Sequence, residues 1–163
     1  MPFHLAEFNV ARLSHPLDST ESAEFVAVLD AVNMIAEASP GFVWRLQADG
    51  GLPSSYVTAY DDPRLIINLT VWEGVESLRH FAYRSGHGAY FRRRREWFET
   101  LPAEAVVCWW IVAGHVPSVI DATARLERLR HDGPGPDGFL LSDPLLSPGM
   151  TACHGVDEVG PLV

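Results

Sequence analysis

The chain has 163 residues, 47% of them hydrophobic, which suits a single domain that buries a core without disulfide or metal staples. Its formal net charge of -9 offers no attraction to phosphate backbones or anionic lipid, which argues against nucleic-acid and membrane partners. All twelve basic residues are arginine, so lysine Schiff bases, ordinary pyridoxal-phosphate chemistry and lysine-bearing phosphate loops are excluded.

Met1-Pro2-Phe3-His4 lacks the charged-then-apolar pattern of a secretion signal, and no apolar run reaches the roughly 20 residues of a membrane helix, so a cytoplasmic location is expected. Residues 3–10 alternate as a strand, with Phe3 and Leu5 on one side and His4, Ala6, Phe8 and Val10 on the other. Asp18-Ser19-Thr20-Glu21 reads as a helix start, and Phe25, Val28, Leu29, Val32, Ile35 and Ala36 recur at helical spacing up to Ser39-Pro40-Gly41. Phe42 to Gln47 is a short strand, and the Gly50-Gly51 and Pro53-Ser54-Ser55 stretch that follows reads as a surface excursion. Leu65 to Trp72 is apolar on both faces except for Asn68 and Thr70, which predicts a central strand. A second helix from Val75 turns Leu78, Phe81 and Ala82 inward, breaks at Ser85-Gly86-His87-Gly88 and resumes to Phe98. Val106 to Ala113 forms the last strand, with Cys108 and Trp110 on one face and Trp109 and Ile111 on the other, and Pro117 opens a helix ending near His131.

From residue 133 the composition changes. Eleven of the last 31 residues are Gly or Pro and none is Lys or Arg, so a 1–132 domain is followed by a loosely packed, irregular 133–163 tail. Phe139-Leu140-Leu141 and Leu145-Leu146 give that tail apolar material to lay over a pocket mouth or a partner. The two cysteines, Cys108 in a strand and Cys153 in the tail, do not form a disulfide framework or a zinc site.

The element order β-α-β-β-α-β predicts an α+β, ferredoxin-like fold, an antiparallel four-stranded sheet with two helices on one face and an extra C-terminal helix. Strands that are apolar on both faces leave the second face to be covered, and pairing with an identical sheet in a homodimer does so symmetrically.

The segments Phe42-Val43-Trp44-Arg45-Leu46, Asn68-Leu69-Thr70-Val71-Trp72-Glu73, Tyr83-Arg84-Ser85-Gly86-His87, Arg92-Arg93-Arg94-Arg95-Glu96-Trp97-Phe98 and Trp109-Trp110 with Gly114-His115 resemble an uncharacterised bacterial family, catalogued as a domain of unknown function. That family belongs to the dimeric α+β barrel superfamily, the home of antibiotic-biosynthesis monooxygenases. The resemblance spans roughly residues 3 to 132. It implies the barrel fold, and it brings in a range of superfamily chemistries: cofactor-free oxygenases of polyketide phenols, small lyases and isomerases, and haem proteins.

Candidate reacting groups follow from position. His87 sits between two glycines at the helix break, where an imidazole serves as a general base or an axial haem ligand. With a helix continuing from it, His87, Tyr90, Phe91, Arg94 and Phe98 share a stripe; the structural alternative makes His87 a cap and the aromatics core. Arg45 and Asn68 are polar residues in apolar strands that need partners, supplied by a ligand anion or, alternatively, by an acid such as Glu7 and by a strand edge. Five tryptophans, at 44, 72, 97, 109 and 110, suit either a planar-ligand pocket or a dimer seam. The arginine run 92–95 spans a full helical turn and is mostly surface, with Glu96 and Glu99 in reach for ion pairs. The combined expectation is a small-molecule enzyme of secondary metabolism acting on a planar aromatic or polyketide-like substrate without a cofactor, as an oxygenase, cyclase or isomerase. His87, Arg45 and Asn68 would react or stabilise charge, with Trp44, Trp72, Tyr83, Tyr90, Phe91, Arg94, Trp97 and Trp110 around the ligand. A haem enzyme with His87 as axial ligand and a non-catalytic ligand-binding module stay open.

Overall fold

A computed structural model describes residues 2–150; for His87, Gly88 and Phe91 it describes the backbone only. The first strand, β1 (Phe3–Leu13), is flanked on one side by β3 (Leu65–Trp72) and on the other by β5 (Val106–Val112), with the two-residue β4 (Phe98–Glu99) continuing alongside the end of β1. The strand β2 (Phe42–Arg45) lies outside β3, and every pairing is antiparallel. The order β5-β1-β3-β2 with a helix in each crossover is the ferredoxin-like arrangement expected from the sequence. β3 is interior, and apolar on both sides except at Asn68 and Thr70, as its β-branched run requires.

The helix α1 (Ala23–Glu37) starts later than its Asp-Ser-Thr-Glu signature suggests. Ser19 serves the preceding turn instead, donating to the Pro16 carbonyl at 2.6 Å, and the Ser22 hydroxyl at the N-cap donates back to the His15 carbonyl at 3.2 Å. The second crossover is α2 (Val75–Arg79), a π-turn over His80–Arg84, a break at Ser85–Gly86, then α3 (His87–Arg92) and α4 (Arg94–Trp97). The predicted break is present. The helix ends at Trp97 rather than Phe98, whose backbone is extended and feeds β4. Gly41 turns the chain from α1 into β2 at a φ of +77°, and a Cβ there would stand 2.1 Å from the Ser77 hydroxyl, so only glycine lets β2 and α2 approach this closely.

The two faces of the sheet carry separate cores. Toward α1 and α2 point Leu5, Trp72, Cys108 and, at the other end, Leu13 and Ile66. On the opposite face Ala6, Phe8, Val10, Ile67, Leu69, Val71, Val107, Trp109 and Ile111 are all buried. They are covered by α5 (Val119–Asp132), which sends in Ala122, Leu126 and Leu129 and lays Arg125 over the Trp109 ring at 5.2 Å. The bare second face on which the expectation of self-pairing rests is therefore absent from this chain. A helix that composition marks only as an appendage fills it. Its own Ser118 caps it, accepting from the Asp121 amide at 3.1 Å.

The segment after α5 lays its apolar residues on the domain, one of the two courses its composition allows. It is irregular, but it is anchored: Phe139 is fully buried in the helix-side core and exchanges two backbone hydrogen bonds with Cys108, at 2.8 and 2.9 Å. Arg79 donates to the Leu141 carbonyl, Trp110 Nε1 to that of Leu145, and Arg125 to that of Asp137. The segment thus passes from the α5 face around the outer edge of β5 to the helix face. Leu145 and Leu146 stay exposed, and Cys153 and His154 lie outside the described residues.

Among the described residues no helix is long and apolar enough to cross a membrane.

Candidate functional site

Antiparallel register sets Glu7 opposite Thr70 and Asn9 opposite Asn68, and the alternation that turns Leu5 and Trp72 toward the helices turns these four the same way. They form a polar row between two apolar clusters, one around Trp72 and Phe81, the other around Trp97 and Phe25. α1 spans the row, packing Val32, Ile35 and Ala36 into the first cluster and Phe25, Val28 and Leu29 into the second.

Glu7 is the buried member, only 7% exposed. Its Oε1 accepts from Asn9 Nδ2 at 2.7 Å and its Oε2 from the Thr70 hydroxyl at 2.9 Å, while Thr70 in turn accepts from Trp72 Nε1 at 2.9 Å. No cation among the described residues pairs with it. Burial raises its pKa above the ordinary 4.5, with the Asn9 and Thr70 hydrogen bonds pulling the other way. Across β5 its charge, added to burial, also pushes the Cys108 thiol up. While ionised, a buried carboxyl with no cation beside it among the described residues costs stability, and a group perturbed in this way is a candidate for a functional position.

The sign of that cost is testable. A carboxyl whose folded pKa is raised stabilises the native state only while protonated, so its cost grows as pH rises above the ordinary glutamate range. Glu7→Gln should therefore raise Tm at pH 8 by roughly 2–4 °C per kcal/mol relieved. The gain should vanish in melts at pH 4 and below. A difference that stays constant with pH would contradict this assignment.

Two amide atoms in the row are unspent. Asn68 Oδ1 accepts from the Ser54 hydroxyl at 3.2 Å and Asn9 Nδ2 is held by Glu7, which leaves Asn68 Nδ2 and Asn9 Oδ1 without a partner among the described residues. Both side chains are half-buried. Further along the same face, beyond Thr70, the buried Trp72 is stacked on Phe81 at 5.0 Å and met edge-on by Phe42 at 5.4 Å.

Of the residues expected from sequence, Asn68 and Trp72 fall in this row and Arg45 at its β2 end, level with Thr70. Arg45 does not reach Glu7; its Nε donates to Glu37 of α1 at 2.7 Å, and its buried Nη1 has no partner. Trp97 lies in the second cluster, 5.7 Å from Phe25 and under the Arg93 guanidinium at 4.8 Å. Trp110 is on the same face, half-buried beside Phe139, and Tyr90 is half-buried in α3. Three of the expected residues lie away from this row. The bulge between Phe42 and Trp44 leaves Trp44 level with Val71, on the α5 face. Tyr83 is 65% exposed on the π-turn, and Arg94 is exposed on α4. The side chains of His87 and Phe91 lie outside the described residues; their helix begins where Gly86 lies against Ile35 of α1, 3.3 Å from a Cβ added there. In the arginine run, Arg93 pairs with Glu96 and with Glu24 of α1, whereas Glu99 pairs with Arg64 and Arg12.

Sequence reasoning passed over Glu7 and Asn9 as site residues. The signal is present in their parity with Leu5: two polar side chains on the strand face that carries core residues at both ends. Among the described residues no group of three or more His, Cys, Asp or Glu is set to hold a metal.

The model of one family, described as a domain of unknown function, DUF3291, matches residues 4–154. The chain belongs to the DUF3291 family. The DUF3291 match runs past α5, so the anchored segment lies within the family's extent and is no addition to it. No functionally curated protein matches the sequence. Solved structures similar to this DUF3291 chain include SnoaB, a cofactor-independent oxygenase from Streptomyces nogalater, at 15% identity and a TM-score of 0.46, over 69% of this chain and 95% of SnoaB. A protein of unknown function from Nitrosomonas europaea gives 11% and 0.49, over 72% and 97%. A dabb family protein with a ferredoxin-like fold from Mesorhizobium loti gives 16% and 0.42, over 69% and 99%. The ferredoxin-like assignment itself rests on the strand order and register above.

Proposed function

We propose that this DUF3291 chain is a small-molecule enzyme that binds a planar phenolic or enolic substrate, of aromatic or polyketide-like kind, against Trp72 and transforms it without a resident cofactor. The observation that carries the reading is the pair of amide atoms on Asn9 and Asn68 that have no partner among the described residues, beside a buried carboxyl that no cation among those residues pairs with. Half-buried amide atoms without a partner among the described residues are available to bond a ligand, and a few such groups suffice to fix a ligand's orientation. In this reading Asn68 Nδ2 donates to the substrate oxygen as it becomes an anion, and Arg45 adds positive charge at the β2 end. His87, at the start of α3, takes the phenol or enol proton. Trp72 and Phe81 exclude water, and the anion reacts with dioxygen directly or rearranges as in a cyclase or isomerase.

The test is a panel of dihydroxynaphthalenes and related enols incubated with the protein in air, following oxygen uptake and product absorbance together. Turnover should fall about 10²–10³-fold in Asn68→Ala, as when one donor to a developing anion is removed, with the fold unchanged by circular dichroism. His87→Ala should also depress it. Saturable binding across the panel with no turnover would sink the enzyme reading and leave a ligand-binding module.

A further inference from the structure

We infer that the Glu7 carboxylate is a positioning residue that fixes the polarity of the Asn9 amide, so that the site offers an acceptor there and selects ligands carrying a hydroxyl. The inference rests on reading the polar row as the ligand site. Its physical basis is the difference between the two asparagines. Asn68 is held by the Ser54 hydroxyl, which donates or accepts, so either face of that amide can turn outward. Asn9 donates its Nδ2 to Glu7 Oε1 at 2.7 Å; while Glu7 is ionised that oxygen only accepts, so Nδ2 must face Glu7 and Oδ1 must face away. Thr70 reinforces the arrangement. Its hydroxyl accepts the indole N–H of Trp72 and gives its own proton to Glu7, so each carboxylate oxygen holds one donor.

The charged and titratable groups around Glu7 leave this polarity intact. Cys108 faces it from β5 as a neutral thiol, and Arg45 on β2 is engaged by Glu37. α1 and the α2 crossover meet the two flanking clusters with Val28, Leu29, Val32, Ile35, Leu78 and Phe81, all apolar; the His87 side chain of α3 lies outside the described residues. Protonation of Glu7 would supply a donor to Asn9 and let the amide turn, so selection for a hydroxyl should relax at low pH.

The experiment compares naphthol with its methyl ether, two probes of the same ring in which only naphthol donates, by equilibrium dialysis against the full chain. The wild type should prefer naphthol by about tenfold, the worth of one hydrogen bond. In Glu7→Gln the preference should collapse or invert, because the glutamine amide donates to Asn9 Oδ1 and reverses it. The wild-type ratio should also decline with falling pH while that of Glu7→Gln stays flat. Thr70→Val, which keeps the Glu7–Asn9 bond but removes one of the two bonds that favour the ionised carboxyl, should move the decline of the ratio to higher pH, whereas loosened packing would lower the ratio equally at every pH. An unchanged preference in Glu7→Gln overturns the inference and leaves the ligand site standing. Failure of the wild type to bind either probe saturably overturns both.

Discussion

Leu126→Asp should cost more than the roughly 2–5 kcal/mol typical of a buried leucine truncated to alanine, because it adds an unpaired charge to the cavity. Leu126 is fully buried at the centre of the contact between α5 and the sheet. With α5 undocked, Ala6, Phe8, Leu69, Val71, Val107 and Trp109 would form one contiguous apolar face, too large to stay in water unpaired. The expected outcome is therefore twofold: a lower urea midpoint, and concentration-dependent association in sedimentation velocity. A folded variant that sediments like the wild type at all concentrations would mean that α5 is not what keeps this face from other chains.

The second large effect concerns Phe139. The side chain is fully buried in the helix-side cluster although it belongs to a stretch rich in Gly and Pro. Phe139→Ala should cost about 3–5 kcal/mol, the range for a buried aromatic truncated in place. It should also free the backbone beside it, which exchanges two bonds with Cys108 and is followed by the Leu141 and Leu145 carbonyls that Arg79 and Trp110 hold. Limited proteolysis would then cut between Gly133 and Met150 under conditions in which the wild type resists. Gly138 is part of the same anchor, because a Cβ there would lie 2.7 Å from Val107 Cγ2. Loss of stability without new cleavage would show that the segment is held elsewhere.

The strands were legible because their signal is local. Leu65 to Trp72 reads as interior from its β-branched run, and the opposite facing of Trp109 and Trp110 follows from alternation alone. The part of the site that was legible, Asn68 and Trp72, shares that origin. What escaped was set by pairing between distant segments. Glu7 and Asn9 become site residues only through register with Thr70 and Asn68, some sixty positions away. Trp44 changes face because one bulge shifts β2 against β3. The roles of α5 and Phe139 depend on which sheet face and edge they meet, and composition does not carry that information.

That geometry has a consequence during synthesis. β1 is the most connected strand, yet every strand that pairs with it, and the helix that covers its far side, is made after it. Until α5 has emerged, a nascent chain with its sheet assembled would hold one oily side open, which is the state in which chains stick to one another or recruit chaperones. Pairings this far apart in sequence also close slowly. Docking of α5 and Phe139 therefore follows assembly of the strands they cover, and changes there should lower the yield of soluble protein before they lower the stability of the molecules that fold.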